Sequence, residues 1–131
     1  MNEFRNGLGR TARIALAALC SMWLAVSGSA GEVEVVGVEA ERQSNGTWRF
    51  SVTLLHDDEG WDHYADRWDV VGPDGTVYGE RVLAHPHVNE QPFTRSLSGV
   101  SIPDDVKTVT VRGNDSVHGL GGKEMEVSLE D

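Results

Sequence analysis

Five histidines offer this 131-residue chain its richest chemistry, and two of them stand two apart in His85-Pro86-His87. In extended backbone, side chains two apart share a face, so this pair can turn two imidazole nitrogens toward one ion. Pro86 has no N–H to give to a sheet ladder, which places the pair at a strand end or sheet edge, open to solvent. His118 or His63 would add a third imidazole, and Asp115, Glu90 or Asp62 a carboxylate. Imidazole with carboxylate and no thiolate is a donor set for Zn²⁺, Cu²⁺ or Ni²⁺. The competing reading is plain: a loop histidine commonly bonds to backbone or points into solvent. His56 is in phase with Leu54 and reads as an inward structural residue at the end of a core strand. Acids crowd these histidines, which should raise their pKa values and make the loop end responsive to pH.

Other features support less. Asp57, Asp58, Glu59, Asp62, Asp66 and Asp69 could offer oxygen ligands to Ca²⁺, but they lack the Asp-x-Asp-x-Asp-Gly spacing of an EF-hand loop and read as a solvated acidic loop. Trp61 and Tyr64, large aromatics in the same stretch, either cap the end of the sheets or form a contact surface for a partner. Arg95 shares the phase of Phe93 and Leu97 and is expected to pair with Glu90. Gly119, Gly121 and Gly122 are followed by neither Lys-Ser/Thr nor a helix, so they are not a phosphate loop. Ser, His and Asp are present without a nucleophile elbow, and a shallow loop end excludes little water. The expectation is a binding domain and not an enzyme.

The elements that must position these residues are strands. Val33 and Val35 alternate with acids, then the phase flips to Val36, Val38 and Ala40, which predicts a bulge near Val35. Trp48, Phe50, Val52 and Leu54 alternate cleanly with polar residues after a Ser44-Asn45-Gly46 turn. Trp68 to Val71 and Thr76 to Ala84 flank Gly72-Pro73-Asp74-Gly75, a strong turn signal. Phe93 to Leu97, Val109 to Val111 and Met125 to Leu129 complete seven short strands, with residues 57–66, 85–92 and 114–122 as loops. Such spacing over about 100 residues predicts an all-β antiparallel sandwich. The first, second and fifth strands would form one sheet; the fourth, third, sixth and seventh would form the other. In that topology all five histidines fall at one end.

Residues 1–30 read as a signal peptide: Arg5, Arg10 and Arg13, then an uncharged apolar run from Ile14 to Val26, then Ser27-Gly28-Ser29-Ala30 for a peptidase. The run is short for a bilayer span, which takes about 20 apolar residues. Cys20 lies inside it behind Leu19, where a lipoprotein signal would have a small residue, and is read as lost on cleavage. Residues 31–131 then form a single domain without cysteine, so disulfides and thiolate sites are excluded although the compartment would permit them. The full chain carries a net charge of −10; the leader takes with it three arginines and one glutamate, leaving −12. That balance opposes nucleic acid and anionic membrane surfaces and favours solubility; with the leader, the expectation is a monomeric, periplasmic or secreted domain.

Trp48, Trp68, the Gly72-Pro73-Asp74-Gly75 hairpin and the Ile102-Pro103 turn together resemble a fibronectin type III or related immunoglobulin-like domain. Gly60-Trp61-Asp62-His63-Tyr64-Ala65-Asp66, with His85-Pro86-His87, Glu90-Gln91-Pro92-Phe93 and Asp115-Ser116-Val117-His118-Gly119, resembles small exported bacterial proteins of unassigned function. Two functions follow as expectations. The first is an exported domain that binds Cu or Zn through His85, His87 and His118, with His63, Glu90 and Asp115 as auxiliaries. The second is a module that binds another exported protein or a glycan through Trp61 and Tyr64 without metal.

Overall fold

The computed structural model describes residues 31–130. The expected leader, with Cys20, lies outside the described residues. Eight strands follow in order: β1 (Glu34–Arg42), β2 (Trp48–Leu55), β3 (Ala65–Val71), β4 (Val77–Val82), β5 (Phe93–Val100), β6 (Thr108–Asp115), β7 (Gly119–Leu120) and β8 (Met125–Ser128). Among the described residues there is no helix. One sheet has the order β1-β2-β5; the other runs β4-β3-β6, with both β7 and β8 paired to β6. All pairings are antiparallel. This is the expected sandwich and the expected division of strands between sheets.

The differences are local. The expected loop 114–122 holds an eighth strand, the two-residue β7, paired through Asn114–Leu120 and Asp115–Gly119. Strand β3 begins at Ala65, three residues before Trp68. The phase flip in β1 is a bulge: Val35 faces Leu54 and Gly37 faces Thr53, so Val36 is the extra residue.

The core lies between the sheets. Strand β2 buries Trp48, Phe50, Val52 and Leu54; β6 buries Val109 and Val111; β3 adds Trp68 and Val70. Two strands keep their inward phase one step past their apolar residues and place a polar group there. After Leu54 the next inward position is His56, and after Gly113 it is Asp115; both are almost wholly buried. The acidic run is likewise not uniformly solvated, contrary to the sequence reading. Asp58 and Asp69 are buried. Asp69 accepts from Arg67 Nε at 2.8 Å and Arg112 Nε at 3.3 Å, the pairing a buried carboxylate requires.

Candidate metal centre

Asp115 ends β6, and its Oδ2 is the point on which three imidazoles converge. His56 Nε2 bonds to it directly. His63 Nε2 lies 2.8 Å away, and His118 Nδ1 3.4 Å. The rings of His56 and His63 meet edge to face at 5.0 Å, as do those of His63 and His118 at 5.1 Å. Three segments supply these groups: the end of β2, the 56–64 loop, and the turn from β6 into β7. Backbone bonds lock that turn, because Val117 and His118 N–H both donate to Asp115 Oδ1, at 2.6 and 2.9 Å. Ser116 N–H donates to Tyr64 O and joins the turn to the 56–64 loop.

Two of the imidazoles are backed by carboxylates. His56 Nδ1 lies 2.5 Å from Asp58 Oδ1, and His63 Nδ1 lies 2.6 Å from Glu59 Oε1. Histidines that ligate metals almost always give their second N–H to a carboxylate, carbonyl or water, which fixes the tautomer and orients the ring. Here that arrangement occurs twice and leaves both Nε2 atoms facing Asp115. The donor count points the same way. A neutral imidazole has one N–H, yet His56 faces an acceptor on each nitrogen. A cation held between Nε2 and Asp115 would take the place of a second proton.

The electrostatics suit a cation. Burial alone pushes the Asp115 carboxyl up. Hydrogen bonds from the His118 and Val117 N–H groups and from the His56 and His63 rings together outweigh it, holding the carboxyl well below the usual range. The hydrogen bond to Glu59 raises His63 most; burial opposes it, Asp115 adds to it, and the imidazole is pushed up to about 9. His56, His63 and Asp115 each offer a ligand atom, all within 4.8 Å of one another, so this group could hold a metal ion.

His85 and His87, which the spacing put first, do not belong to that group. Their rings do lie together, 4.6 Å apart. His87, however, turns inward and stacks on Phe93 at 4.0 Å and 11°. Its ring is buried, neither nitrogen has a hydrogen-bond partner, and burial draws its pKa down. His85 stays exposed, with Nδ1 bonded to Pro86 O at 3.0 Å. Glu90 is engaged by Arg95 at 3.1 Å. The two histidine groups nevertheless share an end of the fold, because Asp58 Oδ2 accepts from His87 N–H at 2.7 Å while its Oδ1 holds His56. Gln91 reinforces the link: it accepts from His56 N–H and donates to His87 O. Trp61 is 66% exposed and meets Tyr64 edge to face at 5.6 Å, so it does not cap the core.

Over 99 residues the chain is 43% identical to a protein of Halomicrobium mukohataei named "Putative lipoprotein". The match takes in 76% of this chain and 48% of that protein, so the chain spans about half the length of the curated relative it matches. No family model and no solved structure matches the chain.

Sequence reasoning missed His56 as a ligand candidate and Asp58 as its support. The signal for His56 was present: its inward phase places the ring between the sheets, where β6 ends in Asp115. Nothing in the spacing singled out Asp58 among its acidic neighbours.

Proposed function

We propose that this chain is an exported, non-enzymatic domain with an immunoglobulin-like sandwich that binds one Cu²⁺ or Zn²⁺ ion. The ligands are His56 Nε2, His63 Nε2, Asp115 Oδ2 and His118 Nδ1. One observation carries the reading: two imidazoles with carboxylates behind them present their Nε2 atoms to a single buried carboxylate oxygen. Metal–ligand bonds of about 2.0–2.1 Å put neighbouring ligand atoms roughly 3 Å apart. The contacts of 2.8 and 3.4 Å around Asp115 Oδ2 bracket that value. Three nitrogens and one oxygen should favour Cu²⁺ over Zn²⁺ in affinity. Export rests on the leader-like residues 1–30 and on the name of the half-matched relative.

Calorimetric titration of the metal-free protein with each ion tests this. One equivalent should bind. Asp115→Ala and His63→Ala should each weaken binding at least about tenfold, and His85→Ala/His87→Ala should leave it unchanged. A wild-type Kd no tighter than ~100 µM, about −5.5 kcal/mol, would sink the proposal.

The second reading, a contact surface, is favoured by the exposure of Trp61 beside Tyr64. It gains ground if metal fails to bind and Trp61→Ala abolishes capture of a particular exported protein or glycan.

A further inference from the structure

Gly31 borders the same centre. Its carbonyl oxygen accepts from His56 Nε2 at 3.3 Å and from His63 Nε2 at 3.4 Å. A Cβ at Gly31 would stand 3.2 Å from His118 Cε1 and 3.6 Å from its Nε2. One backbone unit thus bonds to two of the imidazoles and borders the third.

The fold goes to some length to bring it there. Val33 is buried, and Val35 N–H donates to Lys123 O at 2.8 Å. A Cβ on Gly122 would fall 1.8 Å from Val33 O, one on Gly113 2.4 Å from Val33 Cγ1, and one on Gly121 2.7 Å from Glu32 Oε2. None of these three glycines has the left-handed backbone that would otherwise demand glycine. Their missing side chains make a slot for residues 32–33, and the slot ends at the histidines.

Residue 31 is also where the sequence places the peptidase cut, after Ser27-Gly28-Ser29-Ala30. We propose that removal of the leader completes the metal centre: the newly freed α-amino nitrogen of Gly31 becomes a ligand and, with Gly31 O, closes a five-membered chelate ring on the ion. This rests on the metal reading above and on cleavage after Ala30. The step is hydrolysis by a signal peptidase. Water adds across the Ala30–Gly31 amide, the C–N bond breaks, Ala30 leaves as a carboxylate that keeps the water oxygen, and the nitrogen takes up both protons of the water, one of which it gives to solvent when it ligates. Before the cut that nitrogen is an amide whose lone pair is delocalised into the carbonyl and is a poor donor. Afterwards it is an α-amine, whose lone pair is localised on nitrogen and can be given to a cation. The precursor therefore holds a weaker site than the exported protein, and tight binding is confined to the compartment where the leader is gone.

The described core draws its buried apolar residues from Val33 to Leu129, so the chain from Gly31 onward carries its own fold. Two forms of it make the test. One begins at a free Gly31 amine released from a cleavable fusion; the other keeps Ser-Ala ahead of Gly31. Cu²⁺ affinity is read by competition titration, and copper resonance spectra are compared with and without ¹⁵N-glycine. The free-amine form should bind at least about tenfold tighter, the scale on which a metal-site group counts. Its nitrogen hyperfine pattern should change on labelling, and the extended form's should not. Equal affinities, with His63→Ala still weakening binding in both forms, would overturn the role of the amine and leave the metal reading intact. No binding in either form would remove both.

Discussion

Asp115 and His63 hold opposite charges in direct contact, and their titrations set how the centre responds to pH. The folded pKa of Asp115 is depressed, so its contribution to stability is present above about pH 4 and is lost as pH falls. The folded pKa of His63 is raised to about 9, so its contribution is complete below about pH 6.5 and is lost as pH rises through 9. The metal-free protein should therefore be most stable in mildly acidic solution, as a series of urea melts across pH would record. Metal must displace the His63 proton. At pH 7 binding should release about one proton from this residue, and affinity should climb up to tenfold per pH unit toward pH 9. Calorimetry in buffers of different ionisation enthalpy measures that proton; a binding heat independent of buffer would contradict it. At this scale the sequence was only half legible. Spacing alone put His85 beside His87. It could not reveal that Phe93 takes the His87 ring, or that the inward phase of His56 carries it to Asp115.

The strands were legible because alternation is a backbone property. Strand β2 shows it in four buried residues at alternate positions, and the bulge at Val36 was visible as a change of phase. Strand β7 was not, since two residues cannot display a period. The glycines of the 113–122 stretch were legible as glycines but not in purpose, because what they clear is space for a segment 80 to 90 residues earlier in the chain. Gly122→Ala should therefore destabilise the fold by about 1–3 kcal/mol, the usual cost of forcing extra volume into a packed site, and should weaken metal binding with it. Gly122 N–H and C=O need not change for this to happen; the new methyl would press on Val33 O. Chemical denaturation checks the prediction, and a wild-type midpoint in Gly122→Ala would refute the close approach.

For the whole molecule, the centre joins segments far apart in the sequence: the end of β2, the 56–64 loop, the turn after β6 and the backbone at Gly31. With no cysteine after Cys20, burial and such links must hold them together. An ion that binds the folded form alone, at a hundred times its Kd, adds about 2.7 kcal/mol. For a domain of this size that is roughly 10–20 °C in Tm, which thermal scans with Cu²⁺ or Zn²⁺ and then with a chelator will show rising and reversing. Asp58 has a further consequence. Its Oδ1 holds the His56 ring and accepts from the Ala65 amide, while its Oδ2 accepts from the His87 amide. A metal held on His56 Nε2 would draw electron density through the imidazole and make its Nδ1–H a stronger donor to Asp58. The carboxylate then has less freedom to leave, and the buried His87 amide proton is held with it. The exchange of that proton with heavy water becomes a clock for occupancy: slow when the ion is seated, faster when it has gone, and readable in a loop that supplies no ligand.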